Sequence, residues 1–101
     1  SGVHIETGNP LDYQTNTVGS YQTTTITDAQ ADNASGVFFG SYTSTKDNER
    51  MHAIRRMGSS HDDWAHADVS TVRDGWMKVN ASQQLEQRIE DTTRDLYIWG
   101  W

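Results

Sequence analysis

The stretch Asn80-Ala81-Ser82-Gln83-Gln84-Leu85-Glu86-Gln87-Arg88-Ile89-Glu90-Asp91-Thr92-Thr93-Arg94-Asp95-Leu96-Tyr97-Ile98-Trp99 decides how the second half of this chain is read. Leu85, Ile89, Thr92, Leu96 and Trp99 recur at intervals of four, three, four and three, the spacing of one stripe on an α-helix. Asn80 and Gln83 stand as an N-terminal capping pair. Glu90 precedes Arg94 in the favourable i,i+4 order. The pattern predicts an amphipathic helix over residues 81–98. It spans only about two heptads and carries Thr92 at a seam position, too short for a coiled coil. The chain then closes on its most apolar run, Leu96 to Trp101.

Upstream, the same half offers two more helices. Thr45 to Met57 has Ser44 or Thr45 as a cap, Met51, Ile54 and Met57 on one face, and Gly58 as a stop. Ser59-Ser60 can cap a short helix from His61 to Asp68, with Trp64 and Ala67 inward. Val69 to Val79 fits either a strand or a helix entry, because Gly75 interrupts it.

The first half is of another kind. Residues 1–45 contain no Lys or Arg, nine Thr, and only Glu6, Asp12, Asp28 and Asp32 as charges. Val3, Ile5 and Thr7 alternate with polar neighbours until Gly8-Asn9-Pro10, and a second strand fits Asp12 to Val18. Ser20 to Thr27 is dominated by β-branched and aromatic residues. Asp28 to Gly36 reads as a loop with room for one helical turn, and Val37 opens a strand running to Thr43. The expected architecture is α+β: one domain, residues 1–101, with a small antiparallel sheet from a neutral-polar half (1–45). Two or three helices from a charged half (46–101) would pack it.

A formal charge of −6 argues against nucleic-acid and anionic-membrane partners. The absence of Cys excludes disulfides, thiolate metal sites and thiol nucleophiles. No apolar run is long enough for membrane insertion. With 34% hydrophobic residues, an isolated core is thin, which points to packing against neighbours in a homo-oligomer or larger protein assembly. A soluble chain in an extracellular or virion setting fits this composition.

Three functional readings follow. The leading one is a structural, self-assembling subunit such as a virion, tail or surface-appendage component. Its contacts would come from the basic segment carrying Lys46, Arg50, Arg55 and Arg56, and from Tyr97, Trp99 and Trp101 as terminal anchors. A row of spaced threonines without edge lysines leaves the strand edges undefended against other chains. The second reading is a ligand- or carbohydrate-binding accessory domain, with Trp76, Trp99 and Trp101 as a stacking platform. The third is a metal-dependent enzyme in which Asp62 and His66, at i,i+4, meet His52 around one divalent cation. Against it, Asp62 and Asp63 equally suit the first turn of a helix. No nucleophile elbow, phosphate loop or carboxylate motif marks a catalytic site, and no cofactor is implied. The triplets Asn33-Ala34-Ser35 and Asn80-Ala81-Ser82 match a glycosylation sequon that arises often by chance, and Asn80 already has a role as a cap.

Overall fold

The structure, a computed structural model, describes residues 2–43, 51–60, 65–66 and 71–101; the side chains of residues 43, 51, 65, 66 and 71–73 lie outside the description. Its elements are β1 (Leu11–Asp12), β2 (Gln22–Thr25), α1 (Thr27–Gln30), β3 (Gly36–Thr43), β4 (Met51–Arg56), β5 (Ala65–His66), β6 (Thr71–Lys78), β7 (Gln84–Ile89) and β8 (Arg94–Gly100). Among the described residues the strands form two four-stranded sheets, ordered β1-β8-β3-β6 (sheet A) and β2-β7-β4-β5 (sheet B). Every pairing between these strands is antiparallel.

This overturns the α+β expectation. The stretch read as a helix over 81–98 is two strands in different sheets, β7 and β8, joined by a turn at residues 90–93. Burial along it has period two: Leu85, Gln87 and Ile89 point inward from β7, and Arg94, Leu96 and Ile98 from β8. A spacing of four fits both a helix face and a strand face, so Leu85 and Ile89 could not distinguish the two. Two of the inward positions, Gln87 and Arg94, are polar and hide the alternation. At the turn, Asp91 Oδ1 accepts the Thr93 N–H at 2.8 Å.

Asn80 does cap, but it caps a turn. Its Oδ1 accepts the N–H groups of Ser82 (3.0 Å) and Gln84 (2.9 Å). Gln83 beside it takes a left-handed φ of 55°. The expected helix Thr45–Met57 is likewise corrected where the structure describes it, because Met51–Arg56 is strand β4; residues 44–50 lie outside the described residues. Of the expected helix His61–Asp68, Ala65–His66 is strand β5, and the remainder, with Trp64 and Ala67, lies outside them. The ambiguous segment resolves as β6. The described helical content is the single turn α1, which starts at Thr27, one residue before the segment expected to allow one.

The core lies between the sheets. Ile26, Ala29, Val37, Leu85, Leu96 and Ile98 are fully buried, with Phe39, Ile54 and Met77 packed against them. Consecutive strands mostly lie in opposite sheets, so the chain crosses this core repeatedly and non-local contacts hold it together. The N-terminal segment runs beside β8 where β1 leaves off. His4 and Trp101 exchange backbone hydrogen bonds (2.6 and 2.9 Å), and the Glu6 N–H donates to the Trp99 carbonyl at 2.8 Å. Gly100 permits this, because a Cβ there would collide with the His4 carbonyl.

Candidate functional site

Two constellations carry chemistry, one inside the sandwich and one on its surface. Inside, Ser41 of β3 and His52 of β4 meet across the sheets, the serine hydroxyl lying 2.7 Å from His52 Nδ1. Gln87 Nε2 donates to the Tyr13 carbonyl and to Thr24 Oγ1, both at 2.8 Å. This orientation leaves Gln87 Oε1 to accept from His52 Nε2 at 3.0 Å. The network thus assigns a neutral imidazole with its proton on Nε2, whose Nδ1 accepts from the Ser41 hydroxyl. Arg94 Nη1 reaches Ser41 Oγ at 3.4 Å. Burial, with a contribution from the Arg94 charge, pushes the His52 pKa down to about 4 against the favourable hydrogen bond to Gln87.

Hydroxyl, imidazole and amide stand in the order of a nucleophile, its base and an orienting group. Ser41 and His52 are, however, only 2% and 1% exposed, and the network joins the two sheets.

The surface constellation is the outer face of sheet A. Alternation along β8 turns Asp95, Tyr97 and Trp99 outward, and on β6 it turns Asp74, Trp76 and Lys78 outward. Phe38 pairs with Trp76 across the β3–β6 ladder, with ring centroids 4.7 Å apart and planes tilted by 58°. The Trp76 indole lies across Gly36, where a Cβ would run into the ring. Phe38 and Gly36 therefore hold Trp76 in place while it stays 53% exposed, and Trp99 is 36% exposed beside it. A hollow of about 620 Å³ lies on this face, lined by Ile5, Phe38, Phe39, Gly75, Trp76 and Trp99, with Asp74 at its side.

A second hollow of about 620 Å³ shares Phe38 and Trp76 with the first and is lined further by Trp101, His4, Asp32, Asn33 and Ser35 among others. Here the Trp101 indole N–H donates to Asp32 Oδ2 at 2.8 Å, and its ring stacks on His4 at a centroid distance of 4.4 Å. Below the aromatic rows, Tyr97 donates to Asp95 at 3.3 Å. Burial, reinforced by the charge of Asp12, raises the Asp95 carboxyl above its ordinary range. The outer face of sheet B is different in kind, with Tyr21, Thr23, Thr25, Gln84, Glu86 and Arg88 along it.

The residues singled out from sequence are distributed as follows. Tyr97 and Trp99 share the outer face of sheet A, and Trp101 lies just beyond them against its own domain. Arg55 belongs to sheet B instead, where its guanidinium sits 3.4 Å over the Tyr21 ring and 3.4 Å from Glu86. Arg56 ends β4 and is exposed. Lys46, Arg50 and Asp62 lie outside the described residues. For the metal reading, both His52 ring nitrogens are engaged by Ser41 and Gln87, and His66 is on β5 opposite Met51. Among the described residues no group of three or more potential ligands could hold a metal ion. No helix among them is long and apolar enough to cross a membrane.

Sequence reasoning named Trp76, Trp99 and Trp101 as an aromatic set but missed Phe38, Ile5 and Asp32, which only strand pairing brings beside them. It also missed the Ser41–Gln87–Arg94 network around His52. The one available signal was alternation in Asp74-x-Trp76-x-Lys78 and Asp95-x-Tyr97-x-Trp99. No protein-family model, curated protein or solved structure matches the chain significantly.

Proposed function

We propose that this chain is a non-catalytic binding domain that takes up carbohydrate on the outer face of sheet A. The observation that carries the reading is the pair Trp76 and Trp99, large rings left open to solvent on a sheet face and, for Trp76, held rigid by Phe38 and Gly36. Exposed aromatic patches of this kind mark interaction sites. Rings fixed in advance lose little conformational entropy when a ligand stacks on them. The C–H face of a sugar ring suits such a surface, and its hydroxyls suit neighbouring carboxylate and amide groups such as Asp74, Asp32 and Asn33.

Calorimetric titration with neutral oligosaccharides tests this. Trp76→Ala should weaken binding by about tenfold or more, about 1.4 kcal/mol. Wild-type chain that binds no glycan overturns the reading.

A second reading, a self-associating structural subunit, is favoured by one specific feature: Val3 and Ile5 are 70% and 55% exposed in the segment that borders the same aromatic face. Sedimentation at high micromolar concentration tests it; a strict monomer contradicts it.

A further inference from the structure

We infer that the ligand is an extended, uncharged glycan chain lying across Trp76 and occupying the two hollows that share it, an inference that rests on the carbohydrate reading above. The two hollows share Phe38 and Trp76 as a common wall, and neither is a closed, self-sufficient pocket. Their linings differ. The first is largely apolar and has Trp99 in its lining; the second has Trp101 together with Asp32, Asn33 and Ser35. Trp99 and Trp101 are two residues apart on an extended chain, about 7 Å. A succession of sugar units matches two hollows that share a wall; a single sugar would leave one of them empty.

The polar hollow is also built in advance. Trp101 is held by Asp32 through its N–H and by His4 through its face, and His4 is itself bound to Glu6 at 2.6 Å. Asn33, with a left-handed φ of 50°, forms the lip of this hollow, where its amide can meet sugar hydroxyls.

The charge pattern selects among glycans. Asp74 lines the first hollow and Asp32 the second, and no Lys or Arg is among the described residues lining either. Asp12 and Asp95 add carboxylates along the same face. A uronate, sulfated or sialylated chain would therefore meet carboxylates in both hollows. Lys78, exposed on the same face two residues beyond Trp76 and opposite Gly36, is outnumbered by Asp74, Asp32, Asp12 and Asp95, which disfavours an acidic chain. Hydroxyl groups, in contrast, can donate to these carboxylates.

The test is calorimetric titration of the full chain with cello-, xylo-, manno- and chito-oligosaccharides of one to six units, and with oligogalacturonides as the acidic probe. In the neutral series that binds, affinity should rise about tenfold or more from disaccharide to hexasaccharide, and oligogalacturonides should bind at least about tenfold more weakly. Ser35→Leu, at an exposed position lining the polar hollow, should reduce hexasaccharide affinity about tenfold or more. Affinity independent of length, a Ser35→Leu variant that binds hexasaccharide normally, or equal binding of oligogalacturonides would overturn the extended, uncharged ligand while leaving carbohydrate binding intact. Failure of every glycan to bind would instead remove the underlying reading.

Discussion

His52 is the residue whose environment most sharply sets it apart from its appearance in sequence. It entered as a possible metal ligand and is found neutral between the sheets, held by Ser41 and Gln87 with Arg94 close by. Protonation there has to place a second positive charge beside Arg94 in a dry site. Its folded pKa is depressed to about 4 from the ordinary 6.5, so the unfolded chain takes up the proton first as pH falls. The contribution of His52 to stability is therefore complete above pH 6.5 and is lost between about 6.5 and 4, by roughly 3 kcal/mol in total. Urea titrations across that range should show this loss in the wild type. The difference between wild type and His52→Gln should vary with pH by a similar amount, and a pH-independent difference would contradict the assignment. Arg94, buried on β8 and in reach of Ser41, belongs to the same network.

At the scale of elements, the decisive stretch is legible only once its polar inward positions are known. Leu96 and Ile98 lie two apart, a strand spacing, but Arg94 before them and Gln87 between Leu85 and Ile89 break the apolar alternation that would have announced two strands. Those polar residues face inward and meet groups far along the chain: Gln87 donates to the Tyr13 carbonyl and Thr24, and Arg94 Nη1 donates to Ser41. Such partners lie tens of residues away in sequence, so no local window contains the information. Of the strands expected in the first half, those at 20–27 and 37–43 are found as β2 and β3, whereas the stretches 3–7 and 12–18 hold isolated bridges at Ile5 and Val18 and the end of the two-residue β1. Of the spaced threonines, Thr23 and Thr25 share the outer side of sheet B, whereas Thr27 opens α1. The aromatic set was visible as composition, whereas its assembly with Phe38 and Ile5 depends on long-range ladders. Two substitutions distinguish strand from helix here. Leu96→Ala should cost about 2–5 kcal/mol in urea unfolding, because Leu96 is fully buried. Thr92→Ala, in the exposed turn, should stay within about 0.5 kcal/mol. Comparable losses from both would restore the helical stripe.

The whole molecule is asymmetric. Sheet B turns threonine, glutamine and paired charges to solvent, while sheet A turns tryptophan, tyrosine, carboxylates and Lys78 outward. The Lys- and Arg-free region of residues 1–45 contributes to both sheets and supplies Asp12 and Asp32 to the side of sheet A, where with Asp74 and Asp95 the carboxylates outnumber the exposed Lys78. With the His52 network buried and closed, the exposed rings of sheet A are the feature a ligand meets first. The most direct test of that claim is to follow the tryptophan indole N–H signals by NMR while titrating with a neutral hexasaccharide. The account predicts that the Trp76 and Trp99 indole signals shift saturably while backbone amides on the outer face of sheet B, such as Thr23 and Glu86, stay in place. Unmoved Trp76 and Trp99 signals under conditions where the glycan binds would contradict it.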